Sequence, residues 1–435
     1  MGGIALTRKS TEMSSTNIGF SPDKGANAAP SVARRAADSA PSRAHERAAV
    51  RKLAQFMGQP RITIRLWDGF TVPPVAGESL GTITLRTRAT LMRLLRYGDI
   101  AFGDEYAAGR IEIDGDLVTV LTEAYHARDH NTPMTRLASR LYRRKPQTNT
   151  LPGSREHIHH HYNISNDFYR LWLDSEMQYT CAYFSDPTMT LEAAQRAKMD
   201  HVCRKLQLKP GDRVAEAGCG WGGLARHMAL NYGAQVTSWN ISVEQIRFAC
   251  NRAKSEGYDD RVCYVEDDYR NISGEFDVFV SIGMLEHVGR QNYTALGQVV
   301  NQCLGRQGRA LIHTIGRNRP QLMNAWIEKR IFPGAYPPTL REMTDIVEPF
   351  GFSVLDIENL RLHYARTLEE WLQRFDTASD SVVAQLGKEF ERTWRLYLAG
   401  SQAAFLAGKL QLFQMLFARE RDNTIPWSRS HLYGN

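Results

Sequence analysis

Four short segments of this 435-residue chain carry residue types that could do chemistry on a bound small molecule. The first is Glu216-Ala-Gly218-Cys-Gly220-Trp-Gly222-Gly223, set between an apolar run and a helical pattern. Glycines let the backbone bend sharply and come close to a ligand, and a helix amino terminus presents unpaired N–H groups. A dinucleotide turn would space its glycines Gly-x-Gly-x-x-Gly; here they run Gly-x-Gly-x-Gly behind an acid. That form favours a ligand with an ammonium and a carboxylate over a diphosphate. The second segment, Trp239-Asn240-Ile-Ser242-Val-Glu-Gln245, has no acid at the strand end, so Asn240, Ser242 and Gln245 must do the polar work there. In the third, Glu266-Asp267-Asp268-Tyr269, Asp268 can accept from an adenine-type amino group and the ring of Tyr269 can cover its face. The fourth places Glu286 just after an apolar run, with His313 closing another. On residue type alone His313 also reads as a packed core histidine.

The elements that must position these groups alternate. Strand patterns over Arg213–Ala217, Gln235–Trp239, Val262–Val265, Phe276–Ser281 and Arg309–Thr314 are mostly separated by helical ones, including Leu224–Asn231. This predicts an α/β domain with a parallel sheet covered on both faces. The glycine loop then follows the first strand, at the carboxyl edge where such sheets bind ligands. Upstream, a helical pattern over 44–57 precedes the alternating Arg61-Ile-Thr-Ile-Arg-Leu-Trp67 and the turn Asp68-Gly69, a hairpin signal. Helical patterns follow near Ala89–Tyr97 and Asp116–His126. The expected organisation is a basic disordered tail over 1–44, a small α+β domain over 45–130, a linker over 131–154 and the α/β domain over 155–435. Beyond residue 390 the pattern reads as one long helix, from about Lys388 to Arg421.

Composition excludes several classes. A hydrophobic fraction of 43% is that of a globular protein. No apolar run is long enough to span a bilayer, and the amino terminus lacks a signal-like core. A cytoplasmic protein is expected. The six cysteines form no CxxC pair, which argues against disulfides and thiolate zinc sites. The cluster His157-Ile-His159-His160-His161 lacks partner ligands at metal spacing and reads as a helix start; no metal is expected. Formal net charge is +7, with nine Lys and Arg against four acids in the first 52 residues. Such a tail suits nucleic acid, an anionic membrane or plain solvation equally. A nucleic-acid methylating enzyme would want an Asn/Asp-Pro-Pro-Tyr motif after the fourth strand, and Ser281-Ile-Gly-Met-Leu-Glu stands there.

Taken together, the motifs resemble one family. Tyr162-Asn-Ile-Ser-Asn-Asp-Phe-Tyr169, Tyr179-Thr-Cys-Ala-Tyr-Phe184, the loop at 216–223, Gly283-Met-Leu-Glu-His-Val-Gly289, His313-Thr-Ile-Gly316, Ile331-Phe-Pro-Gly334 and His363-Tyr-Ala-Arg-Thr-Leu368 occur in order. This is similar to the cyclopropane-fatty-acyl-phospholipid synthase family, which includes the mycolic acid cyclopropane synthases. The resemblance is dense over 155–425 and looser over Phe102–Leu117. It implies a Rossmann-like class I methyltransferase domain with helical additions, S-adenosylmethionine as methyl donor and the cis double bond of a phospholipid acyl chain as acceptor. By the same resemblance Tyr179 and Thr180 contact the methionine portion of the donor. Glu216, Gly218, Gly220, Gly222, Asn240, Ser242, Gln245, Asp268 and Tyr269 complete that site. A bicarbonate ion would be held by Glu286, His313 and Tyr364 with backbone groups of Cys181 and Ile315.

The residue types suit that assignment. An anion in a dry pocket needs donors, and an imidazole, a phenol and main-chain N–H groups supply them. Glu286 beside it must share a proton or raise its basicity. Ser401 stands where a nucleophilic thiol has been considered for such enzymes, so a covalent-cysteine route is disfavoured. The substrate lies in a bilayer, so peripheral binding to the anionic inner face of the membrane is expected. Candidate docking elements are the tail, the basic stretch Arg136–Lys145 and the helix Lys388–Leu416. The family also implies a homodimer. Two alternatives stay open: a methyltransferase making methyl- or methylene-branched chains or a methoxy precursor, and a non-catalytic lipid-binding protein.

Overall fold

The computed structural model describes residues 40–127 and 164–433. The basic tail up to residue 39, the linker, the stretch Arg136–Lys145 and the histidines at 157–161 lie outside the described residues.

Two sheets organise the chain. The amino-terminal one has four short strands in the order β2-β1-β3-β4. Helix α1 (Ala44–Phe56) precedes β1 (Thr63–Arg65), which pairs with β2 (Thr71–Val72) as the expected hairpin, Ile64 opposite Val72. β3 (Thr82–Leu85) then runs parallel to β1 and is followed by α2 (Arg88–Tyr97) and α3 (Asp99–Ala107). β4 (Ile111–Asp114) pairs antiparallel with β3, and α4 (Leu117–Ala127) closes the unit. Period-two burial leaves Ile64, Ile83 and Leu85 on the inner face.

The second sheet has seven strands, β10-β11-β9-β8-β5-β6-β7. Helix α5 (Leu191–Leu206) leads to β5 (Arg213–Ala217), α6 (Gly223–Tyr232), β6 (Gln235–Asn240), α7 (Val243–Glu256) and β7 (Val262–Glu266). β8 (Phe276–Ile282) and the long β9 (Leu304–Gly316) continue the parallel set on the other side of β5. The order therefore reverses between β6 and β8, which makes the carboxyl end of β5 the topological switch point. Both sides of the sheet are packed, and β5 is buried over Val214–Ala217.

After α8 (Ala325–Arg330) the chain forms β10 (Phe352–Asn359), α9 (Arg361–Thr377), α10 (Lys388–Leu406) and β11 (Gln411–Arg419). Here the expectation of one helix from Lys388 to Arg421 fails. The helix stops at Leu406, Gly408 takes φ +70°, and the chain turns into an antiparallel strand between β10 and β9. β11 is buried on both faces from Gln411 to Ala418, Gln411 and Gln414 included, so its sequence shows no period-two alternation. The same finding removes Lys388–Leu416 as a membrane-facing helix: Trp394, Tyr397, Leu398 and Phe405 are buried.

α10 also joins the two units. Arg392 donates from Nε to the carbonyl of Tyr106 at 2.7 Å and from Nη2 to that of Ile111 at 3.0 Å, its guanidinium lying over the Tyr106 ring. Arg330 forks onto Asp104 at 2.7 and 3.0 Å.

Candidate active site

At the switch point, the glycine loop and the ends of β6, β7 and β8 enclose a cleft. Gly218 and Gly220 adopt φ +86° and +55°, which only glycine takes without strain. Tyr179, Thr180, Glu216, Gly218, Gly220, Asn240, Gln245, Asp268 and Tyr269, all named from sequence, line this cleft. Two others do not. Gly222 is the cap of α6, so tightly packed that a Cβ would lie 2.5 Å from the Tyr264 hydroxyl. Ser242 caps α7, accepting from the Gln245 amide at 3.4 Å.

The polar groups of the cleft are engaged in specific ways. Glu216 is buried, and burial pushes its carboxyl up to about 7 against the pull of the Ser238 hydroxyl, which donates to it at 2.5 Å, and of Lys198. Asn240 donates to the Gln245 side chain at 2.8 Å and to the carbonyl of Gly220 at 3.3 Å, which braces the loop against β6. Asp268 is held in place within the cleft: both its oxygens accept from the Arg270 guanidinium, at 2.7 and 2.9 Å. The Tyr269 hydroxyl is buried with no hydrogen-bond partner among the described residues.

A second cavity, about 1390 Å³ in volume, begins where the first ends. Tyr179, Thr180, Gly283 and His287 line both. Glu286, His313, Tyr364, Cys181 and Ile315 all line this second cavity, brought together from β9, α9, the turn after β8 and the loop before α5. Its size exceeds the ~300–1,000 Å³ of pockets for drug-sized ligands.

Glu286 is buried. One oxygen accepts from the Ile315 amide at 2.5 Å, while Oε2 has no hydrogen-bond partner among the described residues. Burial pushes its carboxyl up to about 7. The Ile315 amide, expected to face an anion directly, is thus committed to Glu286. His313 is buried in a way that drives its pKa down to about 3, desolvation first and the Lys198 and Lys205 charges after, so the ring is neutral. Its Nδ1 lies 3.0 Å from Nε2 of Gln414 on β11. Cys181 is fully buried, and burial raises its thiol well above the ordinary range, which makes it inert as a nucleophile. Tyr364 packs against Phe405, ring centroids 4.7 Å apart.

Two contributors escape a reading of the sequence. Lys198, on α5, is fully buried and donates to Thr180 Oγ1 at 2.9 Å and Gln178 Oε1 at 2.5 Å, so a cation braces the wall shared by both cavities. Nothing in a helix pattern distinguishes it from a solvated lysine. Gln414 sits in the strand that reads as helix. Among the described residues no group of three or more His, Cys, Asp or Glu is placed to hold a metal, and no helix is long and apolar enough to cross a membrane.

Comparison with known proteins agrees with this geometry. The family model for mycolic acid cyclopropane synthetase matches residues 150–415, and a domain of unknown function matches 50–134. A cyclopropane-fatty-acyl-phospholipid synthase of Escherichia coli K12 is 36% identical over 362 residues, 82% of this chain and 92% of that protein. The tuberculostearic acid methyltransferase UfaA1 of Mycobacterium tuberculosis is 34% identical over 77% of this chain and 82% of its own length. Among solved structures, the mycolic acid cyclopropane synthase CmaA1 complexed with SAH and CTAB has a TM-score of 0.58 at 28% identity, covering 60% of this chain and 97% of that one. The chain belongs to the mycolic acid cyclopropane synthetase family and is an S-adenosylmethionine-dependent methyltransferase with the Rossmann-like fold of its class.

Proposed function

We propose that the protein converts the cis double bond of a phospholipid acyl chain into a cyclopropane, using bound bicarbonate as proton acceptor. The observation that carries this reading is the shared wall. A cleft at the switch point and a large greasy cavity meet at Tyr179, Thr180, Gly283 and His287, with Glu286 and His313 on the cavity side.

The residues fit both absent groups. In front of Gly220 nothing lies within 4 Å of the point a Cβ would occupy, which leaves room for a ligand against the loop, with the buried Glu216 carboxylate at its base. S-adenosylmethionine would supply an electrophilic methyl at this wall. The unpartnered Oε2 of Glu286 is an acceptor in a dry place, suited to the hydroxyl of a bicarbonate, and the neutral His313 can donate to its oxygens.

An alkene is a weak nucleophile, so the chain's first task is alignment and exclusion of water. Tyr179, whose hydroxyl pairs with that of Tyr397 at 2.7 Å, and Thr180, fixed by Lys198, hold the wall rigid. With S-adenosylmethionine held by Tyr179, Thr180 and the glycine loop, its methyl would pass to the π pair of the double bond and would leave a positive charge on the acyl chain. The buried Glu286 carboxylate favours that charge. Closing the ring then requires the new methyl to lose a proton, and its C–H pair makes the last C–C bond. Glu286 holds the acceptor in place and takes its proton in turn.

The substrate must be drawn from a bilayer. Phe56, Leu95 and Leu322 line the cavity yet are 69%, 45% and 45% exposed, and Lys52 and Arg319 line it beside them. An apolar rim with cations suits an anionic membrane surface. Vesicle sedimentation tests this: binding should weaken with salt, and equal binding to neutral vesicles would remove the idea.

Expression in a bacterial host that lacks cyclopropane lipids tests the reaction. The expected product gains one CH2, has no double bond, and shows upfield ring protons. A gain of CH2 plus two hydrogens would mark a methyl branch instead, the outcome favoured by the similarity to a tuberculostearic acid methyltransferase. Enzyme stripped of bicarbonate should lose turnover and regain it when bicarbonate is restored.

A further inference from the structure

We propose that the small sheet and helix α4 of the amino-terminal domain form an apolar inner wall of the acyl cavity and set which chain lengths the enzyme accepts, an inference that rests on the acyl-lipid reading above. No role attaches to this region from comparison, where it matches a domain of unknown function.

The cavity that holds Glu286, His313 and Tyr364 does not end within the methyltransferase unit. It continues onto Ile64, Ile83, Leu85, Val120, Leu121 and Ala124, all from the small domain. Ile64 and Ile83 are direct neighbours across parallel strands, and Leu85 follows on the same face, so the inner face of the small sheet is the surface presented. Val120, Leu121 and Ala124 come from α4. These six are hydrocarbon side chains, which have nothing to offer a phosphate or glycerol and everything to offer methylenes. Of the charged lining residues, Lys52 and Asp99 stand on other elements of the small domain, α1 and α3, and Glu286, Arg317, Arg319 and Lys409 on the catalytic unit.

A wall can measure length only if it is held still. Asp104 is forked by Arg330, Arg392 ties two carbonyls of the small domain, and Gly103 lies so close to Trp326 that a Cβ would be 2.3 Å from the ring. The domain is thereby bolted to the catalytic unit as a fixed end piece. An acyl chain aligned at the double bond has its remote segment stopped there.

The test uses the purified full chain, S-adenosylmethionine and vesicles of mixed monounsaturated phosphatidylglycerols. One set is lengthened stepwise at the methyl end and another between carboxyl and double bond. Ala124→Phe should lower the ratio of longest to shortest product about tenfold in at least one set, since excluding a methylene or two from an apolar pocket is worth about that much. Leu121→Ala should move the same ratio the other way. Val75→Phe, at a site 73% exposed and away from the cavity, should leave it unchanged. Far-ultraviolet circular dichroism and melting confirm folding of each variant. Ratios that stay put in both Ala124→Phe and Leu121→Ala, or turnover that falls equally for all lengths, overturn the inference. Wild-type protein that alkylates no acyl chain would instead sink the reading beneath it.

Discussion

Gln414 and His313 face each other across the antiparallel pairing of β11 and β9, the amide nitrogen of one 3.0 Å from Nδ1 of the other. Both are buried. With the amide as donor, Nδ1 accepts and the ring proton resides on Nε2, leaving that N–H to act in the cavity. The hydrogen bond made by one ring nitrogen fixes the tautomer, as it does in metal and triad sites.

Replacing Gln414 by Glu offers a carboxylate acceptor to Nδ1 and should move the proton there. Activity is expected to fall by roughly 10²-fold or more, as when a catalytic histidine is held in the wrong tautomer. Imidazole nitrogen shifts in the NMR spectrum read the tautomer directly. Q414E with Nε2 still protonated would remove this account. Gln414→Leu deletes the donor without an opposing acceptor, and a milder loss is expected.

Glu286→Gln keeps size and one acceptor but cannot take a proton. The expected loss in kcat is about 10²–10⁴-fold, the usual contribution of a positioned acid or base. Binding of S-adenosylhomocysteine should be unchanged, because Glu286 does not line the cofactor cleft. Wild-type kcat should rise with pH through about 7 as the raised carboxyl ionises. His313, already neutral above about 3, adds no second limb in that range. A kcat in the Gln variant close to wild type would refute the role.

Much of this site is legible in the chain because its parts are local. The first strand is read with its bounds at Arg213 and Ala217, and the glycine loop needs only its own spacing to be recognised. What fails does so where tertiary context decides. β11 is buried on both faces and carries no alternation, so Gln414, the residue that orients His313, is hidden in a presumed helix. Ser242 looks like a ribose contact because capping and ligand binding ask for the same hydroxyl. Asp268 looks free until folding shows Arg270, two residues on, curled onto it. Small-domain side chains of the cavity such as Ile64, Ile83 and Val120 look like an ordinary core, since a pattern of buried residues does not say whether they meet protein or a ligand.

Glu216 gives a pH signature of its own. Its carboxyl is raised to about 7 by burial, and only the ionised form is a full acceptor for the cofactor. Affinity for S-adenosylhomocysteine should therefore weaken as pH falls below about 7, by up to about tenfold per unit. Titration calorimetry measures it without turnover. The stability effect has the opposite sign: the fold holds this proton more tightly than the unfolded chain, so the contribution of Glu216 to stability is full below 4.5 and declines as pH rises toward about 7. Glu216→Gln should flatten the affinity curve and remove this contribution from the stability curve, which Glu286 still slopes the same way. An affinity that stays pH-dependent in the variant assigns the titration elsewhere.

The contact between the two units makes the last prediction. At Gly103 a Cβ would lie 2.3–2.4 Å from three atoms of the Trp326 indole, and that ring is buried with its Nε1–H on Asp104 at 3.2 Å. A flat aromatic held by a hydrogen bond cannot slide aside cheaply. Gly103→Ala should therefore cost about 1–3 kcal/mol by overpacking, seen as a lower denaturant midpoint with the slope unchanged. Trp326→Leu in the same chain removes the obstacle, so the double variant should lose less than the sum of the single losses. Strict additivity would mean that the two residues do not press on each other, leaving the polar ties of Arg330, Arg392 and Asn324 and the shared apolar core to hold the small domain.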